Sequence, residues 1–338
     1  MNFDFTDDQQ AIKRTAHDLL ASRFKPDTVR ELAEAKRYED SHWSELADLG
    51  WPGIFIDEEH GGQGLGTVEL AILMEELGYS LAPVPFLSNA AAGLVLQHAG
   101  TVQQKSKWLE GIAIGEARGT VGTLRNGVAE LVPDADTAEV IVLIDGDVGT
   151  VYEASDCDIE SLATIDSTRS YSRVVPGANG GVLGDSVTPA TDRIAVAVAA
   201  ELVGIAQKGM EMAVEYARDR KQFERPIGAY QAVSHRCADM LAETESARST
   251  VLWAAWAAEA EPETLSVASS MAKSLASDAG WSVTASSLQV HGGIAFTWEH
   301  DLHFFLKRAK VDGSLFGSAR HHRDRVADIY GLGAPAAV

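Results

Sequence analysis

The residues best suited to chemistry are concentrated in one stretch, YARDRKQFERPIGAYQAVSHRCADML, which runs from Tyr216 to Leu241. Its Pro226–Gly228 break predicts that one helix ends and another begins there. The polar and aromatic side chains of interest are Arg220, Gln222, Phe223, Gln231 and His235. A planar guanidinium can bind a phosphate ester through two hydrogen bonds, while a ring and amides can hold a heterocycle. The stretch therefore predicts either a site for a phosphorylated heterocyclic ligand or a solvated helix corner.

A second stretch, Gln289-Val290-His291-Gly292-Gly293, ends another helical run and is followed by Phe296-Thr297-Trp298-Glu299. Adjacent glycines let the backbone approach a ligand or another chain closely. In order and separation, the two stretches resemble the two signatures of the flavin-dependent acyl-CoA dehydrogenase family. The resemblance implies that they hold the pyrophosphate and adenosine end of an FAD bound mainly by the neighbouring subunit. The implied FAD-binding residues are Arg220, Gln222, Phe223, Gln231, Gln289, Gly292 and Gly293.

Composition limits the kind of protein. A chain of 338 residues with 46% hydrophobic content can form two or three domains with packed cores. It has no apolar run of membrane-spanning length and no charged-then-apolar leader, so we expect neither a membrane span nor secretion. Cys157 and Cys237 lie far apart without metal-like spacing, which predicts a reduced cytoplasmic protein with no metal site. A net charge of −21 argues against nucleic acid and anionic membrane partners.

The elements that position these residues fall into three predicted segments: an N-terminal helical domain (1–118), a small β domain (119–188) and a C-terminal four-helix bundle (189–338). Hydrophobic periodicity predicts bundle helices over Asp192–Arg218, Ile227–Ala257, Glu263–Val290 and Glu299–Ile329. Short β-branched runs predict strands over Ala138–Ile144, Val148–Tyr152, Ile159–Thr164 and Ser172–Val175. The fold class is mainly α, and the arrangement resembles the acyl-CoA dehydrogenase fold over nearly the whole chain.

The ring side of the flavin site departs from the family pattern. Family members with complete flavin sites carry T-E-P-x-x-G-S-D and W-x-T-N, or close variants, in the β domain. Here Gly119–Thr123 is followed by Val132–Asp136 without such a segment, and no Trp lies between Trp108 and Trp253. We therefore expect that this chain does not supply the contacts to the flavin ring.

The catalytic base is missing as well. The family's reaction removes an α-proton from an acyl-CoA thioester while the β-hydrogen leaves as hydride, so a carboxylate must lie beside the α-carbon. At the two positions where family members carry this Glu, the chain has Phe316 and Ile194. The remaining acidic candidates are Glu201, Asp192 and Glu299. For Glu201 we favour an ion pair with an arginine such as Arg169 or Arg193, and for Asp192 a helix N-cap over a contact with CoA.

The resemblance implies an FAD-dependent acyl-CoA dehydrogenase subunit that donates half of a flavin site to a homologous partner, as in an α2β2 hetero-oligomer. It further implies an acyl-CoA substrate, with a steroid side-chain CoA ester as one candidate, and an electron-transfer flavoprotein or similar acceptor. Two alternatives stay open at this point. One is a self-sufficient homo-oligomeric enzyme with a relocated base, and the other is a flavin-free assembly subunit.

Overall fold

The structure is a computed structural model that describes residues 4–333, and it is mainly helical over that range. The α-helices are α1 (Asp7–Arg23), α2 (Pro26–Ala35), α3 (Asp40–Asp48), α4 (Thr67–Tyr79), α5 (Phe86–Ala99), α6 (Val102–Ala113), α7 (Thr188–Asp219), α8 (Gln231–Ala260), α9 (Leu265–His291), α10 (Leu302–Asp312) and α11 (Ala319–Ile329). The strands are β1 (Gly119–Arg125), β2 (Val128–Pro133), β3 (Val140–Asp145), β4 (Val148–Glu153), β5 (Asp158–Ser161), β6 (Tyr171–Val175), β7 (Gly181–Val182), β8 (Lys221–Gln222) and β9 (Arg225–Pro226).

This order of helices, strands and helices confirms the predicted mainly α fold with a small β domain and a helical C-terminal part. The chain forms two compact units. One comprises Met1–Pro26, Met74–Ala82 and Ala195–Val338, and the other comprises Asp27–Leu73 and Pro83–Ile194. The predicted boundaries after residues 118 and 188 stay a prediction, and the outer ends of the first and third segments lie outside the described residues. Within residues 4–333, no helix combines the length and apolarity that crossing a bilayer requires.

The start of α1 follows from its local sequence. The Thr6 hydroxyl accepts a hydrogen bond from the Gln9 backbone N–H at 3.2 Å, and the Gln9 side chain accepts from the Thr6 N–H at 3.0 Å. This reciprocal arrangement is a capping box, which satisfies two backbone donors that the helix leaves open. Asp7 and Asp8 in the first turn add favourable interactions with the helix dipole.

The main sheet has seven strands in the order β5-β6-β2-β1-β3-β4-β7. β1 and β3 pair in parallel, and the remaining neighbours are antiparallel. Residues Val140–Ile144 of β3 are all buried, because helix α5 packs on the sheet and alternate residues face opposite sides. The inner face of the sheet holds a cluster of Ala129, Val132, Ile141, Leu143 and Val174.

Helix α7 starts earlier than predicted, which corrects the role of Asp192. The helix begins at Thr188, so Asp192 lies one turn inside it, is buried, and is not the N-cap. The start of the helix is satisfied from outside by Asp147, which accepts hydrogen bonds from the Thr188 N–H (3.1 Å) and hydroxyl (2.7 Å). These bonds, with one from Ser186, lower the pKa of the Asp147 carboxyl.

The predicted single helix Glu299–Ile329 is wrong, because the structure divides it into α10 and α11. Phe316 and Gly317 have φ values of 51° and 104°, which no continuous α-helix allows. The Ser318 hydroxyl then caps α11 by accepting from the His321 N–H at 3.3 Å. Both helices pack on α9, whose buried face includes many small residues that let neighbouring helices approach: Ala268, Ser269, Ala272, Ala276, Ser277, Ala279 and Gly280.

Candidate functional site

The predicted corner between α7 and α8 is a short β-hairpin followed by one helical turn. β8 and β9 pair in an antiparallel hairpin, and the Ile227 N–H donates to the Arg220 carbonyl at 2.8 Å, which closes the base of the hairpin. The side chains of Arg220, Gln222 and Phe223 are all exposed. The structure therefore brings these three predicted site residues together in one element, with their polar groups accessible to a ligand.

The tip of the hairpin is strained. Phe223 and Glu224 are its two turn residues, with φ values of 53° and 65°. Residues with a Cβ rarely adopt positive φ, because Cβ then crowds the backbone carbonyl. The Phe223 ring is also 88% exposed, although it is one of the larger apolar side chains. Strained backbone and exposed aromatic rings both concentrate where proteins bind ligands or partners.

The second predicted stretch forms an open glycine turn at the end of α9. Gly292 has φ 66° and ψ −143°, a backbone conformation available essentially to glycine alone. A Cβ added at Gly292 or Gly293 would meet no atom within 4 Å, so this backbone is open on the side where a side chain would lie. Ile294 and Phe296, which follow, are largely exposed. The turn thus offers accessible backbone beside apolar surface.

An aromatic contact joins the hairpin to the glycine turn. The Tyr216 ring stacks on the His291 imidazole with centroids 4.6 Å apart, and Tyr216 lies one turn before Arg220 on α7. His291 Nδ1 lies 2.8 Å from the Ser287 carbonyl, and burial lowers the pKa of this imidazole, so the neutral form is favoured. Sequence reasoning overlooked both rings as positioning groups, although His291 immediately precedes the two glycines.

Two further predicted residues, Gln231 and Gln289, lie near these elements. Gln231 is the first residue of α8, and Gln289 lies three residues before Gly292 on α9. Both amides are exposed, and neither forms a hydrogen bond within residues 4–333. They are available to a ligand, but the geometry of the chain alone does not link them to Arg220.

The charge of the corner is opposite to that of the chain as a whole. The segment Tyr216–Leu241 contains five basic and three acidic residues, whereas the chain carries a net charge of −21. A local excess of cations in an acidic protein favours an anionic ligand at that point. The exposed guanidinium, the open glycine backbone and the local positive charge together fit the pyrophosphate and adenosine end of FAD.

The connection between the first two strands of the β domain is short. β1 and β2 are joined directly by a two-residue turn, Asn126–Gly127, with φ values of 55° and 80°. This is the tightest common hairpin connection, so no loop extends from it. Sequence reasoning missed this hairpin, although Asn-Gly between β-prone residues is its strongest signal. The β1–β2 connection is therefore too short to contain a ring-side loop.

The structure also places the candidates for a base. Phe316 lies in the turn between α10 and α11, half-buried, and Ile194 is fully buried. Glu201 lies 2.8 Å from Arg308, and this partner differs from the arginines expected from sequence. Glu299 is exposed in the turn before α10. Phe316 and Ile194 carry no carboxylate, the Glu201 carboxylate is buried against Arg308, and only the Glu299 carboxylate among these four positions is exposed.

Thr164 and residues 166–169 help to line a cavity of about 210 Å³ in the connection between β5 and β6. Asp166 holds this loop by accepting hydrogen bonds from the Thr168 N–H at 2.9 Å and from the Tyr171 hydroxyl at 3.3 Å. Arg169 is 95% buried in the wall of the cavity. The carboxylate therefore stabilises the loop and is not directed at a ligand.

Comparison with known proteins gives the family. Residues 6–116 match the acyl-CoA dehydrogenase N-terminal domain, and residues 187–330 match the acyl-CoA dehydrogenase C-terminal domain. The chain is 34% identical over 328 residues to acyl-CoA dehydrogenase IpdE2 of Mycolicibacterium smegmatis, covering 96% of this chain and 100% of that protein.

Two solved structures have the same fold. The Tcur3481-Tcur3483 steroid ACAD (G363A variant) has a TM-score of 0.88 at 25% identity, over 96% of this chain and 98% of that one. The ChsE4-ChsE5 complex of Mycobacterium tuberculosis has a TM-score of 0.90 at 24% identity, over 99% of this chain and 100% of that one. With both family domains matched and a relative of full length, the chain belongs to the acyl-CoA dehydrogenase family, whose cofactor is FAD.

Proposed function

We propose that this chain is a subunit of an FAD-dependent acyl-CoA dehydrogenase, and that it supplies the pyrophosphate and adenosine half of a flavin site to a homologous catalytic partner. The observation that supports this most is a mismatch within the chain. The Arg220 hairpin and the Gly292 turn offer an open anion site, while the Asn126–Gly127 turn leaves no ring-side loop and Phe316 replaces the base.

Each residue then has a defined task. Arg220 binds the pyrophosphate through its planar fork, and the backbone at Gly292 and Gly293 lets the nucleotide approach closely. The amides assigned to the nucleotide are those of Gln222, Gln231 and Gln289. Bound FAD supplies a hydride acceptor for the β-carbon of the acyl-CoA. Since Phe316 cannot take a proton, the α-proton is removed by a carboxylate of the partner subunit.

The substrate and the assembly belong to the same proposal. The name Tcur3481-Tcur3483 joins two protein names, which supports a heteromeric α2β2 assembly. That protein is a steroid ACAD, which supports a steroid side-chain CoA ester as substrate. The reduced state of Cys157 and Cys237 is compatible with a cytoplasmic location. An electron-transfer flavoprotein or similar protein is the acceptor that this chemistry requires.

The test is the flavin content of the chain, alone and in its complex. Purified alone, the chain is expected to show little flavin absorbance and no oxidation of acyl-CoA with an artificial electron acceptor. The complex with the homologous subunit that co-purifies from the native host is expected to hold flavin and turn over. A yellow homo-oligomer with turnover would favour a self-sufficient enzyme. A complex devoid of flavin would favour an assembly subunit, and either result contradicts the proposal.

A further inference from the structure

The hairpin tip holds a charged residue where glycine would be most stable. A two-residue turn with positive φ at both positions favours Asn or Asp followed by Gly. Here those positions are Phe223 and Glu224, with φ values of 53° and 65°. A side chain at each position costs conformational energy that glycine would avoid. The fold alone gives no reason for a glutamate at the second position.

The rest of the hairpin is rigid, so the tip keeps its strained geometry. The Arg225 guanidinium lies 3.9 Å from the centroid of the Tyr230 ring, which is a stacking contact. The Tyr230 hydroxyl donates to the Gln222 carbonyl on the opposite strand at 3.2 Å. These contacts hold both strands against the start of α8, so the tip is ordered before any partner binds and little entropy is lost on binding.

The Glu224 carboxylate has no partner of its own. It is exposed and forms neither a hydrogen bond nor an ion pair within residues 4–333. Basic residues Arg220, Lys221 and Arg225 are its neighbours in sequence, yet none is paired with it. An anionic pyrophosphate at the same corner would be repelled by this carboxylate, so its presence needs a separate explanation.

We propose that Glu224 is a recognition residue, whose carboxylate pairs with a basic side chain on the homologous subunit that shares the flavin site. The proposal rests on the proposed function, because that function places a second subunit at this corner. The rigid, strained tip presents the carboxylate beside the exposed Phe223 ring, so a partner is contacted by one apolar and one charged group. Such a charge selects the correct partner more than it adds affinity.

The sign of the charge also disfavours a second copy of this chain as the partner. Each copy carries a net charge of −21, so self-association brings two strongly acidic molecules together. A second copy also carries basic residues at this corner, so what disfavours it is the repulsion between the two net charges and not the lack of a basic group. Glu224 therefore acts as a determinant of pairing between different subunits.

The test compares Glu224→Gly with Glu224→Lys in the complex formed with the co-purifying homologous subunit, produced separately. Glu224→Gly relieves the positive-φ strain, so the isolated chain is expected to melt about 2 °C higher. The same variant is expected to raise the dissociation constant of the complex about tenfold, and Glu224→Lys is expected to raise it more than tenfold. A purely structural residue would instead move stability and assembly in the same direction.

Glu263 provides the matched control. It is exposed in the turn between α8 and α9, at the other end of a helix that is about 45 Å long. Glu263→Lys makes the same change in net charge and is expected to leave the dissociation constant unchanged.

The outcomes separate this inference from the proposed function. An unchanged dissociation constant for both Glu224 variants overturns the recognition role, and a lower melting temperature for Glu224→Gly overturns the strain argument. In both cases the proposed function stands if Arg220→Ala still releases flavin from the complex. If the chain binds no homologous subunit and retains flavin alone, the proposed function and this inference both fail.

Discussion

Glu201 of α7 and Arg308 of α10 form an ion pair 2.8 Å long whose side chains are 2% and 1% exposed. The pair explains two features of the sequence: an acid in the apolar stretch of α7 and a buried arginine at position 308. A guanidinium is always protonated, so the Arg308 side chain stays charged although it is buried. The Glu201 carboxylate is therefore bound by Arg308 and is not directed at a substrate.

Glu201→Gln is expected to leave turnover of the flavin-loaded complex within a fewfold of wild type. A base that takes part in proton transfer would cost about 10²–10⁴ in rate. The same change removes the Glu201 carboxylate from the buried Arg308 guanidinium, which we expect to lower the free energy of unfolding by about 3 kcal/mol. Urea unfolding of the chain and steady-state rates of the complex measure the two effects.

A double variant distinguishes the pair from its parts. Glu201→Gln combined with Arg308→Met removes both charges, so it is expected to be more stable than Glu201→Gln alone. A hundredfold loss of turnover in Glu201→Gln with flavin still bound would make this chain the catalytic one, against the shared-site proposal.

Arg220→Ala is expected to weaken flavin retention in the complex about ten- to hundredfold. A hydrogen bond to a charged group contributes about 1.5–3 kcal/mol, and the exposed Arg220 side chain forms no hydrogen bond or ion pair with residues 4–333. Flavin release on dilution measures the effect, and the melting temperature of the isolated chain is expected to stay unchanged. Arg320→Ala, at a side chain 90% exposed on α11, is the control. Equal flavin retention in both variants would make the hairpin purely structural.

Elements with strong local signals were predictable from sequence. The four strands from β3 to β6 and the first three bundle helices each overlap a predicted run, although several of their boundaries differ from the predicted ones. The predicted FAD residues Arg220, Gln222 and Phe223 do lie together, because a few consecutive residues need only a short turn to meet. Their role as ligand contacts stays a prediction.

Other features depend on contacts that no local pattern contains. The turn at Phe223–Glu224 has neither Asn nor Gly, so the sequence predicts the corner further along the chain, at Pro226. The break at Phe316–Gly317 interrupts an otherwise helical run, and the partner of Glu201 lies 107 residues away at Arg308. Such pairings are set by tertiary packing, which a single sequence does not specify.

Phe316→Glu is expected not to create a second active site. The residue is half-buried in the α10–α11 turn, where its carbonyl lies 3.0 Å from His322 Nε2, and the β1–β2 turn is too short to contain a ring-side loop. A carboxylate placed there loses hydration, which is expected to lower the free energy of unfolding by about 1–3 kcal/mol. Phe316→Leu, which keeps the site apolar, is the control. An isolated Phe316→Glu chain that binds FAD and oxidises acyl-CoA would contradict the half-site proposal.

The buried Lys273 ammonium gives the last prediction, on stability against pH. Its Nζ donates to the Ser277 hydroxyl, the Asp312 carbonyl and the Gly317 carbonyl at 3.0–3.1 Å, tying α9 to the α10–α11 turn. Burial lowers the pKa of Lys273 to about 7, an effect that the nearby Asp312 only partly offsets. An unfolded lysine has a pKa of about 10.4.

The sign of the pH dependence follows from these two values. Between about pH 7 and pH 10.4 the unfolded chain binds more protons at Lys273 than the folded chain does. The free energy of unfolding that Lys273 contributes therefore rises with pH, by up to about 1.4 kcal/mol per pH unit. Burial lowers the pKa of the neighbouring His322 to about 4, so this imidazole stays neutral throughout the window. Urea unfolding from pH 7 to 9.5 is therefore expected to show a rise that Lys273→Met loses. Lys310→Met, at an exposed lysine of α10, is expected to keep the rise, and equal slopes in the two variants would show that Lys273 is not its source.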